Sequence, residues 1–318
     1  MTYQLLNSST TDITQLVSKA TWSGSLTEAA RKLELSIVAS PTDKYLPKVA
    51  IECGDMLKMF DDSGNELFRG YVFLRDRSYS SNEISITAYD GLVYLLKSKG
   101  TYNVKKMTAE AMTAKLLNEF SIPAGALAKT GISQSRIFDG VSIYEIIMTL
   151  YSKAAKQNGK KYKAVMQAGS LSVIEFGAVY SATVLNQITD SSYGESLENM
   201  VNRVKVYDDK QKYIKTIENA ANVKKYGLLQ DTYNKEKDKD ASTVAKSMLT
   251  SIEQTASVES LGDLSCTTGK AVKVSETYTG LTGIFWVNSD THSFENAQHT
   301  MSLELSFKVM MDEKEAGS

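Results

Sequence analysis

The chain contains two histidines, His292 and His299, in the C-terminal stretch DTHSFENAQHT. Histidine is the commonest metal ligand and a frequent general base, so chemistry is sought first at this pair. We predict a hairpin whose two-residue turn is Asn296-Ala297, although alanine stands where glycine would be expected. The two imidazoles are then diagonal neighbours on one face of a sheet.

The two histidines lack the further side chains that a metal site or a catalytic site would need. In the predicted hairpin His292 faces Met301, His299 faces Phe294, and Asp290 is the one nearby candidate for a further ligand. Zinc sites use three or four convergent ligands, and neither histidine has an evident serine or cysteine partner that it could activate. We therefore expect no metal here, and we expect both rings to lie at a barrel rim among apolar side chains.

Other catalytic patterns are missing from the sequence, which has neither an HExxH nor a GxSxG motif. The acidic pairs Asp61-Asp62 and Asp208-Asp209 fall in turn-forming stretches. A glycosidase needs two carboxyl groups that face each other across a cleft, whereas adjacent turn aspartates are usually solvated. We predict that the protein is not an enzyme, with no catalytic residue, no cofactor-binding residue and no metal ligand.

Composition limits the class of protein further. The 318 residues are 42% hydrophobic and 23% charged, and 36 basic residues balance 37 acidic ones. This length fits two domains with a small third, and the charge balance argues against specific nucleic-acid binding. Cys53 and Cys266 lie far apart without a CxxC motif, which excludes a disulfide scaffold and a zinc module. No stretch has the ~18 consecutive apolar residues of a membrane span, so we expect no membrane insertion.

The first hundred residues alternate like half-buried strands. In RKLELSIVAS, the residues Leu33, Leu35 and Ile37 alternate with polar ones. DDSGNE is dense in turn formers, and SNEISITAYDGL supplies another alternating run. We predict a first antiparallel β-barrel domain over residues 1–100.

Residues 101–160 have a helical pattern instead. AEAMTAKLLNEF puts four apolar residues on one helical face, and in VSIYEIIMTLYSKAAK the pair Ser142 and Glu145 fits a capping box. From 161 onward strands return, with a hairpin at Gly169-Ser170, a charged loop KEKDKD before a helical excursion near 240–255, and the alternating strand HTMSLELSFKV. We predict a helical insert at 101–160 and a second barrel domain at 161–318.

The two β-rich parts can be superposed. Both run in the order glycine, strand, turn, aliphatic-glycine-aromatic strand, polar turn, alternating strand. At offsets of 213–215 the aligned pairs are Gly54 with Gly269, Gly70 with Gly283, Asp76 with Asp290, Asn82 with Asn296, Ile84 with His299, and Ile86 with Met301. Either the chain carries two copies of one domain, or the likeness is what any two antiparallel sheets share.

Five stretches in register give the chain a family resemblance. They are GDMLKMFDDSGNELFRGYV, TAYDGLVYLLKSKGTYNV, SLENMVNRVKVYD, KKYGLLQ and GIFWVNSDTHSFENAQHTMSLELSF. Together they resemble the XkdQ/YqbQ-type baseplate hub proteins of contractile phage tails and phage tail-like bacteriocins. These are related in fold to late-control D proteins and myovirus hubs. The resemblance covers nearly the whole chain, and Ala297 departs from the glycine expected in the family's turn.

The resemblance implies a mainly β fold with α insertions, in which two tail-tube-like antiparallel β-barrel domains accompany a small helical insert. It implies a homotrimer whose six barrels match the hexameric tail tube on one side and the trimeric central spike on the other. Further implied partners are other baseplate proteins, a LysM-type tail protein and the wedge. The implied location is the bacterial cytoplasm during assembly, then an extracellular particle released by lysis.

Two alternatives to this structural hub remain open. One is a tail-associated cell-wall hydrolase, which needs a cleft holding a carboxyl group of raised pKa. The other is a glycan-binding baseplate module that uses an aromatic cluster such as Phe285-Trp286. We expect these two aromatics to pack in the core because they lie in the middle of a strand.

Overall fold

The computed structural model describes residues 1–40, 42–78, 81–177, 182–185, 187–236 and 240–317. The protein is mainly β, as the sequence predicts, and the chain divides into two compact units. The larger unit comprises Met1–Ser191 and Ser257–Ser318, and the smaller unit is Ser192–Ala256. Within the described ranges, no helix has the length and apolar character needed to cross a membrane.

The N-terminal part of the larger unit is an antiparallel sheet. Its strands are β1 (Thr2–Leu6), β2 (Thr10–Asp12), β3 (Val17–Ser25), β4 (Lys32–Val38), β5 (Met56–Phe60), β6 (Glu66–Arg77) and β7 (Glu83–Asp90). They are ordered β3-β4-β7-β6-β5-β1-β2. The predicted alternation in β4 is confirmed, because Leu33, Leu35 and Ile37 are buried in the apolar core of this sheet.

The insert between the two β-rich parts is longer than predicted. Its elements are α1 (Leu92–Lys97), β8 (Lys99–Met107), α2 (Ala109–Glu119), β9 (Ala124–Leu127), β10 (Gln134–Ser142), α3 (Ile143–Asn158), β11 (Lys161–Gln167) and β12 (Ser170–Phe176). The capping interaction is confirmed, since the Glu145 backbone N–H donates to Ser142 Oγ at 3.2 Å. The hairpin of β11 and β12 turns at Ala168-Gly169, one residue before the predicted position.

That hairpin belongs to the insert and not to the second β-rich part. β12 pairs with β9 in a three-stranded sheet of the order β11-β12-β9. Buried residues of both hairpin strands share one apolar cluster with the helices. The predicted boundary at residue 160 is therefore wrong, because the strands β11 and β12 complete the sheet that covers α2 and α3.

The remaining strands and helices follow in the chain. They are β13 (Thr183–Val184), β14 (Ile188–Ser196), β15 (Arg203–Tyr207), β16 (Tyr213–Glu218), α4 (Ala220–Tyr226), β17 (Gln230–Asn234), α5 (Ala241–Ser247), β18 (Glu253–Leu261), β19 (Ala271–Ser275), β20 (Thr282–Glu295) and β21 (Gln298–Ser306). The smaller unit has its own sheet, ordered β16-β15-β17, and its own apolar cluster. The helical excursion is present as α5, which Asp240 caps. Residues 237–239 of the predicted charged loop lie outside the described residues.

The duplication is confirmed at the level of topology. β4, β7, β6 and β5 are neighbours in that order, and β18, β21, β20 and β19 repeat the same order. We call these four-strand groups the first repeat and the second repeat. The pair β5–β6 also has the same register as the pair β19–β20, since Met56 faces Tyr71 in the first repeat as Ala271 faces Trp286 in the second.

Backbone hydrogen bonds make the equivalence specific. The Gly54 N–H donates to the Val72 carbonyl at 2.8 Å, and the Val72 N–H donates to Asp55 at 2.9 Å. The same two bonds recur 215 residues later, with the same lengths, between Gly269, Val287 and Lys270. Each repeat then has an irregularity directly after this valine, where its third strand pairs. Two sheets that shared only a general pattern would not share these bonds.

Some of the aligned pairs in the sequence are wrong by one or two residues. Gly70 corresponds to Phe285 and not to Gly283, because both lie in register opposite equivalent residues of the preceding strand. Ile84 corresponds to Met301, since the third strands are offset by 217. The extra two residues lie in the β20–β21 hairpin, where eight residues separate His292 from Met301 and six separate the equivalent Arg77 and Ile84.

The strands do not form the two separate barrels that were expected. The strands of both repeats belong to one thirteen-stranded sheet, which runs β14-β18-β21-β20-β3-β4-β7-β6-β5-β1-β2 with β19 and β13 off this path. In the described part of the chain this sheet is open and does not close into a ring. The repeats are joined because β3 pairs with both β4 and β20.

The turn at Asn296-Ala297 generates a stability prediction. Both residues have left-handed φ angles, 52° and 59°. A non-glycine residue in this conformation costs about 1–2 kcal/mol, so we expect Ala297→Gly to raise the free energy of unfolding by about 1 kcal/mol. Urea denaturation followed by tryptophan fluorescence measures the change.

Ala114→Gly is the matched control. Ala114 is exposed in the middle of α2, where glycine lowers stability by about 1 kcal/mol. If both substitutions lowered stability equally, the left-handed turn would not be strained by alanine.

Candidate interaction site at the junction of the repeats

The two repeats meet along β20. The first half of β20 pairs with β19, and its second half pairs with β3 from Ser289–Ser25 to Glu295–Lys19. Because β3 also pairs with β4, this one strand joins the second repeat to the first. We call the pairing of β3 with β20 the internal joint.

An ion pair fixes the register of the internal joint. Arg31 Nη1 and Nη2 donate to Asp290 Oδ1 at 3.0 Å and Oδ2 at 2.5 Å. Asp290 lies directly opposite Gly24, and a Cβ on this glycine would lie 2.4 Å from Arg31 Nη1. Glycine is therefore needed at position 24, because the guanidinium crosses the strand there to reach the carboxylate. The same guanidinium lies 4.0 Å from the centre of the Trp22 ring.

The Asp290 carboxylate is kept charged although it is buried. Burial raises its pKa, but the charge of Arg31 and hydrogen bonds from Arg31 and Thr268 outweigh burial, so the pKa lies below its ordinary value. Thr268 contributes both its backbone N–H at 2.6 Å and its hydroxyl. This carboxylate thus ties β20 to β4 and to the loop before β19.

The predicted placement of the histidines is confirmed. His292 pairs with Met301 and Phe294 with His299, and the facing ring nitrogens of the two histidines are 3.0 Å apart. His292 Nε2 lies 3.2 Å from the Cys266 carbonyl, which requires a proton on that nitrogen. His292 Nδ1 then accepts a hydrogen bond from His299 Nε2. The pair is a partly buried hydrogen-bonded link between β20, β21 and the loop before β19.

Both imidazoles are neutral at physiological pH. Burial lowers the pKa of His292, which is fully buried, against the opposing effect of Asp290. Burial and the neighbouring His292 lower the pKa of His299 to about 4. His292, which is expected among apolar side chains, contacts Trp22 and also lies 3.5 Å from the Asp290 carboxylate.

The described residues contain no group of three or more His, Cys, Asp and Glu side chains suited to a metal ion. The absence of a metal remains a prediction, which elemental analysis of the purified protein tests. The acidic pairs lie in turns as expected: Asp61 accepts backbone hydrogen bonds from Ser63 and Asn65, and Asp208 accepts them from Lys210 and Lys212.

Beside the internal joint the larger unit has a cleft of about 1020 Å³, lined in part by Trp22, Arg31, Lys163 and Trp286. Lys163 Nζ donates to the Thr268 carbonyl at 2.7 Å, and burial lowers the pKa of this amine to about 7. Phe285 is buried against Phe307, as expected, whereas the neighbouring Trp286 is only partly buried.

One carboxyl group in the cleft has a raised pKa. Burial raises the pKa of Asp90 to about 7, but its two oxygens accept hydrogen bonds from the backbone N–H groups of Arg31 and Leu92 at 3.1 and 3.0 Å. These bonds hold Asp90 at the start of α1.

Sequence reasoning missed most of this site. It identified the histidines and Asp290, but it did not identify Arg31, Thr268 or Lys163. Arg31 and Asp290 are 259 residues apart, and no local spacing connects them. A signal was present in Gly24, since an isolated glycine in a strand often marks close approach of another group.

A model of the YQBQ-like family matches residues 20–306, which include both repeats. The uncharacterized protein YqbQ of Bacillus subtilis (strain 168) is 26% identical over 293 residues, which are 87% of this chain and 88% of YqbQ. The phage-like element PBSX protein XkdQ of the same organism is 26% identical over 300 residues, 90% of this chain and 91% of XkdQ.

Solved structures share the fold at low identity. The 43 kDa tail protein of prophage MuSo2 from Shewanella oneidensis has a TM-score of 0.70 at 13% identity, covering 96% of this chain and 98% of its own. The tail protein from Neisseria meningitidis MC58 has a TM-score of 0.65 at 15% identity, covering 99% and 100%. The E. coli c3393 protein, a type VI secretion component, has a TM-score of 0.56 at 9% identity, covering 95% and 76%.

The ion pair generates a prediction about stability. Breaking a buried ion pair by removing one partner costs about 3–5 kcal/mol, so we expect Asp290→Asn to lower the free energy of unfolding by this amount. Glu295→Gln is the matched control, because it removes the exposed pair with Lys19 on the same two strands and costs about 1 kcal/mol or less. Chemical denaturation measures both, and losses of equal size would contradict the role of Asp290.

From the lowered pKa of His299 we predict that the free energy of unfolding falls at acidic pH. The pKa of His299 is about 4 in the folded protein and about 6.5 in the unfolded chain, so the unfolded state binds more protons between these values. The stabilisation is complete above pH 6.5 and is lost as the pH falls towards 4. We expect a smaller fall in stability over this range in His299→Gln than in the wild type. Parallel curves would show that the pair does not titrate in this way.

Proposed function

Because the chain belongs to the YqbQ-like family, we propose that it is the structural hub of a contractile injection particle, either a phage tail or a tail-like bacteriocin. In this role three copies join the hexameric tail tube to the trimeric central spike. The protein supplies shape and adhesion, and it carries out no chemistry. Its relative XkdQ is a protein of a phage-like element, and the S. oneidensis and N. meningitidis proteins of the same fold are tail proteins.

The observation that carries this proposal is the duplication. Two repeats with the same strand order and the same backbone hydrogen bonds, 215 residues apart, give one chain two equivalent four-strand groups. Three such chains offer six equivalent positions around a threefold axis. A component with this property can match both a tube of six subunits and a spike of three.

In the proposed particle each repeat curves around the axis as one sixth of a ring. The barrel-like form is completed between copies and not within one repeat, which accounts for an open sheet in the single chain. Alternation in β21 supports this arrangement, since Met301, Leu303 and Leu305 are buried while Ser302 and Glu304 are exposed. The exposed polar face is suited to a water-filled channel.

The proposed partners are a second and third copy, the tail tube protein, the central spike protein and further baseplate proteins such as the LysM-type tail protein and the wedge. The proposal of a spike partner is supported by the E. coli c3393 protein, which is structurally similar to the bacteriophage T4 tail proteins gp27 and gp5. Assembly in the cytoplasm and release by lysis belong to the same proposal.

A wall hydrolase is the second candidate, favoured by the raised pKa of Asp90 in the cleft. Both oxygens of this carboxyl group accept backbone hydrogen bonds that hold it at the start of α1, so the hub proposal gives Asp90 a structural role. Incubation with purified peptidoglycan separates the candidates. Release of soluble fragments that is abolished in Asp90→Asn would replace the hub with a hydrolase.

The hub proposal predicts the mass of the purified protein. We expect sedimentation at micromolar concentration to give three copies of the 35.0 kDa chain, about 105 kDa. A trimer of this kind buries far more than the ~1,600 Å² of a standard interface, so it persists on dilution. A stable monomer across the concentration range would contradict the proposal.

A further inference from the structure

The internal joint provides a template for a second joint. β6 is the first-repeat equivalent of β20, and β5 covers its first half as β19 covers the first half of β20. The second half of β6, Leu74–Arg77, corresponds to the part of β20 that pairs with β3. On the side of β6 that β5 covers, no strand pairs with Leu74–Arg77 in the described part of the chain, whereas β7 pairs with them on the other side. Leu74 is 60% exposed. We call this segment the open edge.

β14 is the equivalent of β3. Each is nine residues long, β3 flanks β4 in the first repeat, and β14 flanks β18 in the second. β3 continues the sheet into the other repeat, whereas β14 is the last strand of the sheet path, without a strand on its outer side among the described residues. An edge strand of this length is suited to pairing with another chain on its open side.

We propose that β14 of one copy pairs antiparallel with the open edge of a second copy, in the register that joins β3 to β20 inside the chain. This outer joint rests on the proposed function and specifies which strands hold the ring together. Each copy contributes one open edge and one β14, so the contact is head-to-tail and closes when the third copy meets the first.

Charge complementarity supports this register. Superposing the ends of β3 and β14 places Gly24 on Glu195, and the offset of 215 places Asp290 on Arg75. Asp290 faces Gly24 in the internal joint, so Arg75 faces Glu195 in the outer joint. Residues directly opposite in an antiparallel pair lie on one face with Cβ atoms about 5 Å apart, which suits an ion pair. Arg75 uses one donor on the Ile51 carbonyl and retains others.

The next facing pair is also compatible. His292 faces Trp22 in the internal joint, and the equivalent residues in the outer joint are Arg77 and Tyr193. A guanidinium over a tyrosine ring is a favourable cation–π contact. Both pairs of the outer joint thus bring an arginine of the open edge to a complementary side chain of β14.

Charge reversal tests the outer joint in the full-length protein. We expect Arg75→Glu and Glu195→Arg each to raise the concentration at which trimers dissociate by about tenfold or more, because like charges then face each other. The double variant restores the opposite pair and returns the dissociation midpoint to within about threefold of the wild type. Sedimentation measures the midpoints, and Lys105→Glu, an exposed charge reversal on β8, is the control that leaves them unchanged.

Disulfide cross-linking provides an independent readout that does not depend on trimer affinity. Cysteines at positions 75 and 195, in a Cys53→Ser background that removes the exposed native thiol, should oxidise to covalent trimers of about 105 kDa. Cysteines at positions 75 and 189 form the mismatched control and should stay uncross-linked.

The outcomes separate the inference from the proposed function. Wild-type trimers that withstand charge reversal, together with position 75–195 variants that give monomer bands alone, would overturn the outer joint and leave the hub proposal in place. Wild-type protein that never forms trimers would overturn the hub proposal itself.

Discussion

The structure depends on covering the long edge of β20. This strand has 14 residues, and its neighbour β19 has five, so half of its backbone N–H and C=O groups on that side need another partner. β3 supplies it, and by doing so it makes one sheet from two repeats. The Arg31–Asp290 pair then selects the register, because only the glycine at position 24 leaves room for the guanidinium. Because β3 covers the second half of β20, the equivalent second half of β6 is expected to need a covering strand as well.

Local patterns in the sequence predicted a good part of the fold. The alternation in β4, the cap at Ser142 and the turn at Asn296-Ala297 are short-range features, and the structure contains all three. The boundary of the insert was wrong, because the β11–β12 hairpin has the same local pattern whether it pairs with β9 or with another sheet. The duplication could be detected but not aligned throughout, since the β20–β21 hairpin is two residues longer than the β6–β7 hairpin.

The candidate site was less accessible to sequence reasoning. Its histidines were placed correctly because a hairpin fixes which residues face each other. Arg31 and Lys163 were not predicted because their partners are distant in the sequence, and the residues next to them in the sequence form no recognisable motif. Burial keeps both rings neutral, and a hydrogen bond holds them together. They stabilise the second repeat at the place where it meets the first.

In the proposed hub, a duplicated sheet with one internal joint lets a single chain adapt two symmetries. Single-particle electron microscopy of the purified assembly tests this claim most directly. The account predicts a threefold axis with six equivalent four-strand groups around it, alternately joined within and between chains. A particle with no threefold axis, or one in which the two repeats of a chain lie at different distances from the axis, would contradict it.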